Sequence, residues 1–233
     1  MTMTIPPWQW DETVQRGTDY ESLAEVEVYD RRMAALRDVA AEAEKILSLL
    51  DLGPDGILLE VGTGTGAFAR KAAGHCRRVI ALDISPVMLT YAATRAREEQ
   101  VDNLEFHQAG FLTYEHQGEP LAAVVSQLSL HHLPDPWKLI ALRRLSRFLG
   151  EGGRLYLSDV VLPDSAQGDW AGHFQTMIDS LPEDWRAEMS CHFRDEYSTF
   201  DWMMREILAR AGFVLESAET EGAFLTHYLC RKP

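Results

Sequence analysis

The stretch Leu58-Leu59-Glu60-Val61-Gly62-Thr63-Gly64-Thr65-Gly66 restricts what this chain can fold into more than any other part of it. Its apolar start reads as a buried strand, and the glycines predict a tight turn that hands over to a helix. Helix formers follow at once, with Ala67, Phe68, Ala69, Ala72 and Ala73 on the apolar side and Arg70 and Lys71 on the wet side. Glycine at such a bend permits positive φ and lets a ligand press against the main chain. The free amides of the new helix add a local positive field. The next strand, Val79 to Leu82, runs into Asp83. An acid about 20 residues beyond the first glycine is placed to accept both hydroxyls of an adenosine ribose. The pattern predicts an α/β sheet that binds a nucleoside-containing cofactor.

The glycine spacing narrows the cofactor. A dinucleotide turn is spaced GxGxxG, whereas this chain has GxGxG with Ala67 in the following place. Glu60 stands two residues before the first glycine, where it would repel a pyrophosphate and suit a cation. Taken with ALDIS at 81 to 85, SLHHLPDPW at 129 to 137 and LGEGGRLYLSD at 149 to 159, the stretch resembles the class I S-adenosylmethionine-dependent methyltransferases. EYSTFDWMMREILARAGF at 196 to 213 resembles the tail of a subgroup of small-molecule-type members. The resemblance implies a Rossmann-like, doubly wound, mostly parallel seven-stranded sheet closed by a C-terminal antiparallel hairpin. It implies S-adenosyl-L-methionine as cofactor and S-adenosyl-L-homocysteine as product. Carried over residue by residue, it places Glu60, Gly62, Thr63, Gly64, Gly66, Asp83, Ile84, Met88, Gly110, Phe111 and Gln127 at the cofactor, with Tyr20 and Tyr29 as aromatics that close over it.

Two departures from the family pattern stand out. The residue after strand three is commonly an acid that accepts the adenine amino group, and here Gly110 takes that place. The usual leading acid of strand four is absent from Leu121-Ala122-Ala123. Adenine would then be held by the main chain around Gly110 and Phe111, or by a side chain that the sequence does not identify.

Organisation along the chain follows from periodicity. Residues 6 to 20 have no period, and Trp8 and Trp10 are costly to leave wet. Helical spacing runs from about Ser22 to Leu50, stopped by Gly53-Pro54. The alternation of strands and helices that follows is broken at 163 to 197, where Trp170, Phe174, Met177, Ile178 and Leu181 recur at helical spacing before Pro182 restarts a second short helix. The expected organisation is a single domain: an N-terminal helical cap at 1–52, a core at 53–162 and 198–233, and a helical lid insertion at 163–197. An insertion at that edge of the sheet is where substrate lids are built, although it could equally be a packing or subunit-contact element.

Composition limits the partners. With 46% hydrophobic and 25% charged residues the chain is an ordinary soluble globule in composition. A formal charge of −14 repels phosphate-rich partners, so nucleic acid is not expected as substrate. No membrane-spanning run and no signal-peptide pattern is evident, and Cys76, Cys191 and Cys230 lack pairing or metal-like spacing. A reduced, cytoplasmic setting and a small-molecule substrate are the expectation, with a homodimer left open.

Methyl transfer from a sulfonium needs mainly an oriented acceptor and a dry site. A base is needed only for a hydroxyl or a protonated amine. His131 and His132, directly after strand four, are the best-placed candidates, with His173 and His192 of the insertion behind them. No His/Asp/Glu set has metal-ligand spacing in the sequence, so a metal-free enzyme is expected. The aromatic content of the insertion suggests a partly apolar acceptor. A non-catalytic cofactor-binding module and a nicotinamide-dependent oxidoreductase are the alternatives.

Overall fold

In the computed structural model, residues 5–14, 26, 38–164, 168–222 and 224–233 are described. Helix α1 (Val39–Leu50) opens with the Asp38 carboxylate accepting the Ala41 N–H at 3.0 Å, and it ends at Asp51 with a left-handed φ of 50°. Strand β1 (Ile57–Val61) then enters the centre of the sheet and is buried at every position. Helix α2 (Ala67–Ala72), strand β2 (Arg78–Asp83), helix α3 (Pro86–Glu98), strand β3 (Leu104–Gln108) and strand β4 (Leu121–Gln127) follow. Helix α4 (Asp135–Phe148) leads into β5 (Leu149–Leu162). Two helices, α5 (Trp170–Ser180) and α6 (Glu183–Asp195), precede the two-residue β6 (Thr199–Phe200). Helix α7 (Asp201–Arg210) and the hairpin β7 (Val214–Glu221) and β8 (Leu225–Arg231) close the chain.

The strand order is β3-β2-β1-β4-β5-β8-β7, with β6 paired to the end of β5. β1 to β5 run parallel and β8 and β7 antiparallel, as the sequence predicts. The sheet has eight strands rather than seven, because Thr199 and Phe200 pair with Val161 and Leu162. β5 is also longer than expected. Gly150, Gly152 and Gly153 read as a helix stop, but the backbone there is already extended and pairs Leu149 with Leu121.

The two faces of the sheet are covered separately, which explains why β1 is apolar at every position but Glu60. Ile57, Leu59 and Val61 point into a layer with Leu142 and Leu145 of α4 and Met204 and Leu208 of α7. Leu58 points the other way, into Ile46, Leu47 and Leu50 of α1 and Phe68 and Ala72 of α2. Successive strand residues face opposite sides, so a strand buried on both has no room for polar alternation. Each such leucine contributes about 1.5–3 kcal/mol through burial.

Register brings the carboxyl ends of the parallel strands level. Val61 lies opposite Leu82 on one side and Ser126 on the other, Asp83 lies opposite Gln108, and Gln127 opposite Ser158. The N–H groups of Gly62 and Thr63 both donate to the Leu82 carbonyl, at 2.9 and 2.8 Å, which folds the glycine turn over the end of β2. α3 starts where Ser85 accepts the Met88 N–H at 3.2 Å and Pro86 takes the first turn, where no N–H is needed.

Of the N-terminal helix expected from 22 to 50, Val26 and Val39–Leu50 are helical and the rest lies outside the described residues. Trp8 and Trp10 part company. Trp10 packs edge-on against Tyr197, centroids 5.4 Å apart, whereas Trp8 is 74% exposed. Among the described residues no helix is long and apolar enough to cross a membrane.

Candidate functional site

A pocket opens at the level carboxyl edge of β1 to β4, on the crevice where open α/β sheets take ligands. The glycine turn contributes Gly62 and Gly64, and the end of β2 contributes Asp83 and Ile84. Met88 reaches it from α3, and Ala109, Gly110 and Phe111 from the segment after β3. Gln127, Leu128, Ser129, His132 and Leu133 complete the far side. Of the residues expected at the cofactor, the fold therefore brings Gly62, Gly64, Asp83, Ile84, Met88, Gly110, Phe111 and Gln127 to one cavity. Glu60, Thr63 and Gly66 stand behind it. Tyr20 and Tyr29 lie outside the described residues.

The turn glycines are needed for different reasons. A Cβ on Gly62 would sit 2.5 Å from the side chain of Ser129, so the turn can approach the β4 loop only without one. A Cβ on Gly66 would press on Ala92 of α3 at 2.9 Å. At Gly64, with φ +53°, a Cβ would meet nothing within 4 Å. That residue lines the cavity, so the space it leaves is ligand space.

Asp83 is held rigidly. Its Oδ2 accepts the Gly64 N–H at 2.8 Å and its Oδ1 the Ser85 N–H at 2.9 Å. Burial raises its pKa against those hydrogen bonds. Glu60 is buried beneath the turn, with Oε2 accepting the Thr63 hydroxyl at 2.6 Å. Desolvation first, then the neighbouring Asp83 charge, pushes Glu60 up to about 8. A cation arriving above the turn would relieve both acids.

Leu128 adopts a left-handed φ of 51°, a conformation that costs a non-glycine residue about 1–3 kcal/mol. Its N–H donates to the Ser158 carbonyl at 2.8 Å, extending the ladder past β4 while turning Leu128 into the cavity.

Beside the cavity lies a buried polar network. His131 Nδ1 is 2.5 Å from Asp159 Oδ1, and the His131 N–H donates to Asp159 Oδ2 at 2.9 Å. On its other side, His131 Nε2 is 3.3 Å from Glu196 Oε2, and that carboxylate is also paired with His192 Nδ1. His192 Nε2 is 2.7 Å from the Ser198 hydroxyl. Burial alone would depress the pKa of His131, but the pairing with Asp159 and then Glu196 outweighs it and raises the value. Asp159 is correspondingly low despite its burial. His132 is different. Burial and then the His131 charge lower it to about 4, so it is neutral at physiological pH, and it faces the cavity.

The two catalytic candidates thus separate. His132 lines the cavity, whereas His131 has both ring nitrogens committed to Asp159 and Glu196. His173 lies on α5, with its Nε2 buried and unpartnered. Sequence spacing had shown no set of metal-type ligands, yet the fold draws ligand atoms of His131, His132 and Glu196 within 4.8 Å of one another. Glu196 lies far along the chain from the histidines, so spacing could not reveal this. In the present arrangement the Glu196 carboxylate is taken up by the histidines.

None of the described residues of the helical insertion lines the cavity. Its helices pack on each other through Phe174 and Phe193, centroids 4.8 Å apart, and Trp170 is 65% exposed. What the insertion sends to the site region is Glu196 and His192. The N-terminal segment does reach the cavity, through Glu12 and Val14. No local pattern marks Glu12 in the sequence; the only hint is the missing side chain at Gly110, which it overlies.

Comparisons with known proteins bear on this geometry. A family profile described as a methyltransferase domain matches residues 58–153, from β1 into the first residues of β5. Residues 58–153 thus carry a methyltransferase domain, similar to those of the class I S-adenosylmethionine-dependent family. The chain is 26% identical over 223 residues to an uncharacterized methyltransferase of Geobacillus thermodenitrificans, covering 93% of this chain and 91% of that protein. It is 28% identical over 194 residues to the 27-O-demethylrifamycin SV methyltransferase of Amycolatopsis mediterranei, covering 82% of this chain and 66% of that one. Its fold is similar to geranyl diphosphate C-methyltransferase of Streptomyces coelicolor, solved with Mg2+, geranyl diphosphate and S-adenosyl-L-homocysteine, at a TM-score of 0.66 and 16% identity. That match covers 83% of this chain and 77% of the other. The methyltransferase fold thus accounts for the GxGxG turn and the C-terminal hairpin together, which a nicotinamide-binding reading does not.

Proposed function

We propose that the chain transfers a methyl group from S-adenosyl-L-methionine to a small, partly apolar acceptor. The observation that carries this reading is the cavity in which the side-chain-free Gly64, the fixed carboxylate of Asp83 and the apolar Ile84, Met88 and Phe111 converge at one sheet edge. Gly64 leaves the room that an amino-acid moiety needs against the main chain, and Asp83 offers a carboxylate to ribose hydroxyls. Ile84, Met88 and Phe111 give a flat base apolar walls. Gly62, Thr63 and Gly66 shape the turn, and Glu60, held protonated beneath it by burial, can ionise when a cationic ligand arrives above. The charge pattern supports a cationic rather than a pyrophosphate-bearing ligand.

S-adenosyl-L-methionine supplies an activated methyl group whose sulfur is a ready leaving group. The chain's own work is then to bind, orient and keep water out. Gln127, Leu128 and His132 border the side of the cavity away from Asp83, where the acceptor would meet the methyl carbon. His132, being neutral, can accept a hydrogen bond from a protonated acceptor atom. His131 is a positioning residue, locked by Asp159 and Glu196 and holding the neighbouring turn. The mostly apolar lining supports a small acceptor with apolar parts.

The experiment is calorimetry with S-adenosyl-L-methionine, S-adenosyl-L-homocysteine and NAD, followed by mass spectrometry of cell extract incubated with protein and cofactor. Binding of the first two together with a metabolite heavier by one methyl group supports the reading. Binding without any methylated product would leave a cofactor-binding module.

A further inference from the structure

We propose that Glu12, delivered by the N-terminal segment, is the carboxylate that receives the amino group of the cofactor's adenine, in the place a side chain at position 110 would occupy. The inference rests on the proposed use of an adenosyl cofactor and adds a residue from outside the matched domain to its site.

The geometry is specific. A Cβ built on Gly110 would lie 2.5 Å from Glu12 Oε2 and 2.6 Å from its carboxyl carbon. The Glu12 carboxylate therefore fills the volume that the side chain of residue 110 would take. It also makes the hydrogen bonds that such a side chain would make. Glu12 Oε1 accepts the Leu112 N–H at 2.9 Å and the Thr113 hydroxyl at 2.8 Å, the groups two and three residues beyond Gly110. Short acids in loops cap their own backbone two residues on in this manner. Here the acid comes from about a hundred residues away in sequence.

Glu12 is 7% exposed and borders the same cavity as Asp83, Ile84, Met88 and Phe111. With Oε1 committed to Leu112 and Thr113, Oε2 lies on the Gly110 side. Burying a carboxylate costs free energy, and desolvation raises its pKa even against those hydrogen bonds. A ligand donor would offset that cost. Asp83 and Glu12 then divide the nucleoside: the first faces ribose hydroxyls, the second an exocyclic amine. An adenine amine donates to a carboxylate, whereas the carbonyl of hypoxanthine would confront it with a second acceptor. The segment carrying Glu12 is anchored by Trp10 on Tyr197, and Asp11 accepting the Thr13 N–H shapes its local turn.

The test uses the full chain and compares S-adenosyl-L-homocysteine with S-inosyl-L-homocysteine by calorimetry, with thermal unfolding as the folding control. The wild type is expected to prefer the adenosyl compound. Glu12→Ala should weaken its binding about ten- to a hundredfold, the range for a hydrogen bond to a charged group, and should erase the preference over the inosyl compound. Glu12→Gln keeps the shape and should lose less. The decisive variant combines Glu12→Ala with Gly110→Asp, which returns a carboxylate to the same place from the other chain segment and should restore both affinity and preference. If Glu12→Ala binds as the wild type does, or loses both ligands equally, the inference is overturned. So it is if the double variant folds and restores nothing. A wild type that binds neither S-adenosyl-L-methionine nor S-adenosyl-L-homocysteine would instead overturn the proposed cofactor itself.

Discussion

Nδ1 of His131 lies 2.5 Å from Oδ1 of Asp159, and both groups are buried at the end of the β4–β5 pair. His131 is raised above its ordinary value and Asp159 is depressed below its own, so each favours the charged form of the other. The Asp159 carboxylate also accepts the N–H groups of His131 and Val160. Removing its charge leaves a buried imidazolium with Glu196 alone. Asp159→Asn should therefore lower stability by about 3–5 kcal/mol in denaturant unfolding near pH 6. The His131 contribution is present below its unfolded value of 6.5 and is lost as pH rises through the raised folded value. The Asp159 contribution is present above 3.8 and is lost as pH falls through the lowered folded value. The gap between wild type and variant should thus be widest in the mildly acidic range and narrow toward alkaline pH. A gap that widens there would contradict the pairing.

Glu60 carries the opposite sign. Its folded value, about 8, lies above the unfolded 4.5, so the folded state holds a proton that the unfolded chain has lost. Stability from this group is full below 4.5, falls between 4.5 and about 8, and is level above. Glu60→Gln should accordingly stabilise the cofactor-free protein at pH 8 to 9, by an amount on the order of a few kcal/mol. The advantage should vanish near pH 4.5. Unfolding curves across that range measure it, and an advantage that does not grow with pH would show that Glu60 titrates in the folded protein as it does in the unfolded chain.

Gly62 and Gly64 should respond differently to the same change. Gly62→Ala places a methyl group 2.5 Å from Ser129 and should mainly cost stability. Gly64→Ala meets open space, so beyond about 1–2 kcal/mol for the left-handed backbone it should mainly cost cofactor affinity. Paired melting curves and S-adenosyl-L-homocysteine titrations separate the two. A Gly64→Ala variant with unchanged affinity would make the turn purely structural.

Closure over the site should show in amide exchange. Residues 5–14 reach the cavity through Glu12 and Val14, so S-adenosyl-L-homocysteine should slow exchange there. The insertion joins the site region through Glu196 and His192, and a true acceptor should slow exchange in α5 and α6. Exchange indifferent to both ligands would make the insertion a packing element.

What the sequence revealed, and what it did not, follows from the range of the contacts. The cavity residues from Gly62 to Met88 belong to one run of strand, turn, helix, strand and the first turn of the next helix, so their spacing alone places them together. Gln127 was legible as the end of a strand in a parallel sheet. Glu12 was not, because its contact with Leu112 spans 100 residues and no local period announces it. Glu196 escaped notice for the same reason, and with it the convergence on His131. Trp170 misled: apolar spacing says that a helix has a buried face but not what that face covers, and in the structure Met177 is buried while Trp170 is exposed. The β6 pairing is only two residues long, below the length at which alternation can be read.

The carboxyl-edge cavity is proposed to take S-adenosyl-L-methionine with Asp83 on the ribose. The most direct measurement is calorimetric titration of wild type and Asp83→Ala with S-adenosyl-L-homocysteine and NAD. The expected result is one S-adenosyl-L-homocysteine per chain, no heat with NAD, and a loss of about 1.5–3 kcal/mol in a folded Asp83→Ala variant. Binding of NAD in place of S-adenosyl-L-homocysteine, or an Asp83→Ala variant with undiminished affinity, would contradict it.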